Sequence, residues 1–350
     1  MLHHSGVDGR TRIYRWDLDK TYLRTEFDTV RDIVRTAIEP ASEKRTVPGA
    51  TTLMRHLGAF DPSETHILSG SPRQMRRKLE AKLRLDGIVW HSLTLKPSLG
   101  QLLRGRIRFL RDQVGYKLGA LLESRVRTGA DVLEVLFGDD AEADAFIYAL
   151  YADLCAGRVD ATTVESVLRR ARVHPDEIPR IVDLARQVRA GDTVRRIFIH
   201  LDRGSPTDLF GPFGTRLCPF YNYFQPALVL LEDRLLEGCS ALHVGVELLS
   251  SQMFGPDVLG VSFGDLVKRN AIGAGAGLAV LDAAKTDQGK DLVSTSQGLG
   301  LLVQTVERAL PSLRELREEL VAVPVDYVEL FSADHARAKG ARRRARNQRR

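Results

Sequence analysis

The chain has 350 residues, of which 43% are hydrophobic and 27% charged, a balance typical of a soluble globular protein with at least one large core. This balance excludes a mainly disordered chain, and three scattered cysteines are too few for a disulfide framework or a thiolate metal site. The formal net charge is +6, but residues 335–350 carry eight Lys and Arg and no acid, which leaves the rest of the chain at −2.

The sequence predicts neither a signal peptide nor a membrane-spanning helix. Residues 1–6 lack the pattern of a signal peptide, and the most apolar segment, residues 271–281, is shorter than the roughly 20 residues that a spanning helix needs. We therefore predict a cytoplasmic protein without a transmembrane segment. Residues 333–350 are predicted to form a disordered basic tail that contacts an anionic membrane or another polyanion peripherally, or that serves only solubility.

Four segments in the first two thirds of the chain have the apolar pattern of strands, and each is followed by a polar or glycine turn and helix-like sequence. They are residues 12–16, 66–68, 132–137 and 196–201. The alternation predicts an α/β fold over residues 1–215, a Rossmann-like three-layer α/β/α sandwich with a central parallel sheet and a helical insertion at about 156–193. Apolar residues at helical spacing predict a mostly α-helical C-terminal domain over residues 216–332.

Residues suited to chemistry follow three of the four predicted strands, where open parallel sheets bind ligands. Asp17 and Asp19 are two residues apart, so both carboxylates can face one ligand. Ser69-Gly70-Ser71-Pro72 offers a hydroxyl, a backbone amide and a helix N-terminus to a phosphoryl oxygen. Residues 138–144 contain four acids, a crowding that is costly unless a cation neutralises it. Each of the first two motifs alone also fits a turn or a helix cap, whereas the four acids of the last motif are more than helix capping requires.

In this order, and with Lys117 before the last motif, these segments resemble the four motifs of the haloacid-dehalogenase superfamily of phosphohydrolases. They resemble most closely the catalytic domain of the actin-patch type of phosphatidate phosphatase. In that family the last motif reads G-D-x-x-E-x-D with Ile-Tyr shortly after it, as in Gly138 to Asp144 followed by Ile147-Tyr148 here. The resemblance covers about residues 12–203.

The resemblance implies a role for each matched residue. Asp17 is expected to be the nucleophile, Asp19 the general acid and base, and Lys117 the cation that balances the phosphoryl charge. The implied cofactor is Mg²⁺. The candidate metal ligands are Asp17, Asp19, Asp139, Asp140 and Asp144, of which Asp140 and Asp144 are alternatively candidates to orient Lys117. The candidate substrate-binding residues are Thr21, Ser69, Gly70 and Ser71.

The function implied by the resemblance is hydrolysis of a phosphomonoester by a Mg²⁺-dependent phosphatase, and the family alone suggests phosphatidate as the substrate. One alternative is a phosphatase that acts on a phosphoprotein, a nucleotide or a nucleic-acid end. Another is a catalytically silent scaffold or binding protein that retains the fold. Fewer than 50 residues separate the first three motifs from one another, which leaves little room for a cap and predicts an open site.

Overall fold

The structure is a computed structural model of the chain. It describes residues 9–24, 44–59, 62–96, 106–129, 131–315 and 324–332, and within 106–112 it describes the backbone alone. The predicted basic tail, residues 333–350, lies outside the described residues.

Six parallel strands form the central sheet, in the order β3-β2-β1-β4-β5-β6. Their bounds are β1 Thr11–Trp16, β2 Ser63–Pro72, β3 Ser92–Lys96, β4 Val132–Asp139, β5 Val194–His200 and β6 Leu217–Phe220. The four predicted strands are confirmed as β1, β2, β4 and β5. Strands β3 and β6, the two edge strands, are not among the four predicted strands.

Helices cover both faces of the sheet. They are α1 Ala50–Gly58, α2 Arg76–Leu85, α3 Arg106–Arg127, α4 Asp144–Cys155, α5 Ala161–Arg170, α6 Ile178–Gln187, α7 Phe224–Glu232, α8 Gly238–Ser250, α9 Val258–Lys268, α10 Ala274–Lys285, α11 Asp287–Thr295 and α12 Gln297–Ala309. A short helix follows at 327–332. No helix in the described part of the chain is long and apolar enough to cross a bilayer.

Two apolar cores lie on opposite faces of the sheet because successive strand residues point to opposite sides. Val135 and Phe137 of β4 belong to the core that contains α1, α2 and the helices after β6, whereas Leu136 belongs to the core that contains α3 to α6. The architecture is therefore a three-layer α/β/α sandwich with a parallel Rossmann-like sheet, as predicted.

The C-terminal helices share their core with the sheet. One continuous cluster of buried residues extends from Trp16 of β1 through Leu228 of α7 to Val306 of α12. Strand β6 follows residue 215, so the sheet extends beyond the predicted domain boundary. Helices α5 and α6 occupy the region of the predicted insertion between β4 and β5.

The order of the strands places the ends of β1 and β4 side by side. From β1 the chain continues to β2 on one side, and it returns at β4 on the other side. The carboxyl ends of β1 and β4 therefore flank the switch point, where open parallel sheets have their ligand-binding crevice. Beneath this crevice, buried Arg15 of β1 donates a hydrogen bond from Nε to Glu134 of β4 at 2.5 Å, and Tyr151 donates to the same carboxylate. These buried contacts explain why β1 carries polar residues, and they fix β1 against β4.

Candidate active site

The first predicted motif follows β1 in a tight loop. The backbone N–H of Asp17 donates to the carbonyl of Phe137 at 2.9 Å, which ties the end of β1 to the end of β4. The N–H groups of Tyr22 and Leu23 both donate to the carbonyl of Leu18, so the chain folds back at once. Lys20 takes the left-handed conformation that this loop requires, with φ 62°. The loop holds the Asp17 and Asp19 side chains at the crevice between β1 and β4.

Three carboxylates from three separate elements meet at this crevice. Oxygens of Asp17, Asp139 and Asp144 lie within 4.8 Å of one another, and all three side chains are fully buried. The Oδ1 atom of Asp139 accepts hydrogen bonds from the backbone N–H groups of Ala141 and Glu142 at 2.6 and 3.1 Å. The Oδ2 atoms of Asp17 and Asp139 are buried and receive no hydrogen bond from the described residues.

The buried ammonium of Lys117, on α3, balances part of this negative charge. Its Nζ lies 2.9 Å from Asp17 Oδ1, 2.7 Å from Glu142 Oε2 and 2.5 Å from Asp144 Oδ1. These contacts explain why a lysine is buried in α3, and they identify Asp144, rather than Asp140, as the aspartate of the last motif that orients it.

Burial and crowding shift the pKa values of these groups. Burial, opposed by Lys117 and assisted by the neighbouring carboxylates, raises the pKa of Asp17 well above its usual range. Burial and the carboxylates of Asp144 and Glu142 also raise the pKa of Asp139 well above its usual range. Burial raises the pKa of Asp144 to about 6 although Lys117 lowers it. For Lys117 burial lowers the pKa, but the three facing carboxylates outweigh it and raise the pKa well above its usual value.

The second predicted motif lies beside Asp19 at the end of β2. The hydroxyls of Ser69 and Ser71 donate to Asp19 Oδ2 at 3.0 and 2.8 Å, and the N–H of Ser71 donates to Ser69 Oγ at 3.0 Å. Burial raises the pKa of Asp19, and the two serine hydroxyls oppose the shift. Tyr116 donates from its hydroxyl to the carbonyl of Ser69 at 3.1 Å, so α3 also supports this end of β2.

Two predicted site residues have other surroundings. Both carboxylate oxygens of Asp140 accept backbone N–H groups of the loop after β5, from Arg203 at 2.9 Å and Ser205 at 3.1 Å. Asp140 therefore stabilises that loop and does not join the cluster of Asp17, Asp139 and Asp144. Thr21 is fully buried, and its carbonyl accepts a hydrogen bond from the hydroxyl of Tyr223 at 2.6 Å.

Two residues at the site have no role in the sequence analysis. Glu142 pairs with Lys117, and Gln113 donates from Nε2 to Glu142 Oε1 at 3.0 Å. Gln113 precedes Lys117 by four residues, which is the spacing that places two side chains on one face of a helix. That spacing is a signal by which Gln113 could have been found.

Parts of the chain on which the prediction of an open site rests lie outside the described residues. The prediction of an open site rests on the intervals between the motifs, and residues 25–43 and 97–105 of those intervals lie outside the described residues. The prediction of an open site therefore stays a prediction.

The chain was compared with protein-family models, with curated proteins and with solved structures, and none of them matches it. The inference of function therefore depends on the geometry of the site.

The carboxylate cluster could hold a divalent cation. Carboxylate oxygens are the ligands that Mg²⁺ prefers, and two such oxygens, Asp17 Oδ2 and Asp139 Oδ2, are buried without a hydrogen bond from the described residues. A buried acceptor without a partner is costly, so a cation bound by these oxygens would remove that cost. Asp17, Asp139 and Asp144 are thus the residues that fit a metal ion, Lys117 contacts two of them, and Ser69 contacts the neighbouring Asp19.

Proposed function

We propose that this chain is a Mg²⁺-dependent phosphatase that hydrolyses a phosphomonoester through a phosphorylated Asp17. The observation that carries the proposal is the meeting of a buried carboxylate cluster, a buried lysine and a pair of serines at the ends of β1, β2 and β4. Four segments that are far apart in sequence supply these groups. A purely structural cluster would not need carboxylate oxygens that are buried and receive no hydrogen bond from the described residues.

Each residue has a task in the proposed reaction. A carboxylate oxygen of Asp17 attacks phosphorus, and the aspartyl-phosphate divides one difficult displacement into two easier ones. Asp19 gives a proton to the leaving alcohol and later takes one from the attacking water. Ser69 donates to a phosphoryl oxygen while Lys117 stabilises negative charge. Bound Mg²⁺ would supply further neutralisation of the phosphoryl charge.

The proposal is tested by release of inorganic phosphate from an aryl phosphate. We expect turnover by the wild-type chain with Mg²⁺, and background rates with EDTA or in Asp17→Asn. The matched control is Asp183→Asn, the same substitution on the exposed face of α6, which should leave turnover unchanged. Equal rates in all samples would falsify the assignment of Asp17 as the nucleophile and favour the catalytically silent scaffold.

The ester on which the enzyme acts is a separate question. The family resemblance suggests phosphatidate, and the alternatives are a phosphoprotein, a nucleotide or a nucleic-acid end. Turnover of dispersed phosphatidate, compared with that of soluble phosphomonoesters at equal concentration, separates a lipid phosphatase from these alternatives.

A further inference from the structure

Gln113 lies at the site without a part in the proposed chemistry. It is 1% exposed, and its amide packs against Gly70, where a Cβ would lie only 2.7 Å from Gln113 Nε2. Because Gln113 is four residues before Lys117 in α3, it lies about 6 Å further along the helix axis, one turn away. The amide therefore adjoins the end of β2 that is proposed to hold the phosphoryl group, and it shares the Glu142 carboxylate with Lys117.

The orientation of this amide follows from its hydrogen bond with Glu142. Glu142 Oε1 is a carboxylate oxygen and can only accept, so the atom of Gln113 that faces it at 3.0 Å must be the NH₂ group. The other amide atom, Oε1, is then a carbonyl acceptor. It is buried and has no hydrogen-bond donor among the residues that the structure describes. A buried amide oxygen without a donor is uncommon, and at the edge of an active site it calls for a ligand that donates.

We propose that Gln113 Oε1 accepts a hydrogen bond from the alcohol part of the substrate, a role that rests on the proposed phosphatase function. The substrate class is then a phosphomonoester whose alcohol carries a hydroxyl or N–H donor close to the ester oxygen. Glycerol 3-phosphate and lysophosphatidate have such a hydroxyl, whereas phosphatidate has both of its neighbouring hydroxyls acylated. A site with a buried acceptor discriminates against the ester that lacks the donor, because the acceptor then stays unpaired.

The test compares esters that differ in this hydroxyl. We expect the wild-type chain with Mg²⁺ to hydrolyse glycerol 3-phosphate with a kcat/KM at least about tenfold higher than that for propyl phosphate. The kcat/KM for lysophosphatidate should likewise be higher than that for phosphatidate. In Gln113→Met, which lacks the acceptor, the ratio between the two esters of each pair should approach one. Gln113→Lys keeps an N–H donor toward Glu142 without an acceptor, and it should show the same reduced ratios.

The outcomes separate the two proposals. If the wild-type chain hydrolyses an aryl phosphate but shows no preference within either pair, the role of Gln113 is contradicted while the phosphatase function stands. This comparison uses the wild-type chain alone. It can therefore contradict the role of Gln113 even if Gln113→Met does not fold. If both variants lower kcat/KM equally for all esters, Gln113 only positions Glu142 and Lys117, and the proposal is again overturned. If no phosphomonoester is hydrolysed at all, the proposed function itself fails.

Discussion

Lys117 meets more negative charge than it can neutralise. Its single ammonium faces Asp17, Glu142 and Asp144, and Asp139 lies beside them with one oxygen free of hydrogen bonds from the described residues. Burial, together with this crowding of carboxylates, raises the pKa values of the buried aspartates, so in the absence of a cation protons are the available means of reducing the charge. Protons and a divalent cation should therefore compete for the same oxygens.

This competition predicts how stability depends on pH without metal. The pKa of Asp144 is about 6 in the folded chain and about 3.9 when unfolded, so the folded state holds its proton more tightly. Between about pH 4 and pH 6 the unfolded state then binds fewer protons, and the contribution of Asp144 to the free energy of unfolding decreases as pH rises, on the order of 1 kcal/mol per pH unit. Urea unfolding in EDTA across this range measures it.

The variant Asp144→Asn provides the comparison for this measurement. In EDTA the difference in stability between wild type and variant should change with pH in this window. With saturating Mg²⁺ the wild type should instead gain stability as pH rises, because the cation binds the ionised carboxylates. A difference that is independent of pH in EDTA would contradict the raised pKa of Asp144.

The individual site residues could be predicted from sequence to different extents. Asp17, Asp19, Ser69 and Lys117 follow from motifs whose order places them at neighbouring strand ends, and the structure brings these four together. The sequence could not distinguish the role of Asp140 from those of Asp139 and Asp144. The contacts of Asp140 are with the loop after β5, which is about 60 residues away in sequence. Long-range backbone contacts of this kind leave no local pattern in the sequence.

At the scale of secondary-structure elements, the junction between β4 and α4 depends on a glycine. A Cβ at Gly138 would lie 2.5 Å from Asp144 Oδ2 and 2.8 Å from Tyr148 Cε2. Gly138→Ala should therefore displace the first turn of α4, reduce Mg²⁺ affinity at least about tenfold, and destabilise the chain by roughly 1–3 kcal/mol. Calorimetric titration and urea unfolding measure these two effects.

Gly264→Ala is the matched control for this substitution. Gly264 lies within α9. A Cβ added at Gly264 would have no heavy atom of another described residue outside its own helix backbone within 4 Å. This alanine should leave Mg²⁺ affinity unchanged and stabilise the chain by up to about 1 kcal/mol through higher helix propensity. If Gly138→Ala behaves like Gly264→Ala, close packing of α4 on β4 does not position Asp144.

The two strands that the sequence does not reveal have physical reasons for their weak patterns. Strand β6 has four residues and contains Pro219, which cannot donate a hydrogen bond and normally argues against a strand. It is tolerated here because β6 is an edge strand, paired on one side only within the sheet. Strand β3 has five residues, among them the polar Ser92, Thr94 and Lys96. Such short segments carry too little periodicity to be separated from loops.

At the scale of the whole molecule, the helices after β6 and the sheet share one apolar core. Phe224 and Leu228 of α7 are fully buried in the same cluster as Trp16 and Phe137 of the sheet. The residues from 216 onward should therefore not unfold independently of the sheet. We expect one calorimetric transition whose calorimetric and van't Hoff enthalpies agree. Two separate transitions would instead support an independent C-terminal domain.

The predicted basic tail gives a second test at this scale. Each Lys or Arg near an anionic membrane contributes about 1 kcal/mol, and residues 335–350 carry eight. Removal of 335–350 should weaken binding to vesicles that contain anionic phospholipid and reduce its dependence on salt. Hydrolysis of an aryl phosphate in solution should be unaffected. Unchanged vesicle binding would indicate that the tail has no membrane partner, and lost turnover would make it part of the fold.

The most direct test of the site is a calorimetric titration of the metal-free chain with Mg²⁺. We expect one ion to bind per chain at neutral pH, with release of protons because the carboxylates that bind it have raised pKa values. Asp139→Asn should weaken binding at least about tenfold, since it replaces a ligand oxygen of the cluster. If the wild-type chain binds no ion, or if Asp139→Asn binds as tightly, then Asp17, Asp139 and Asp144 do not form a metal site.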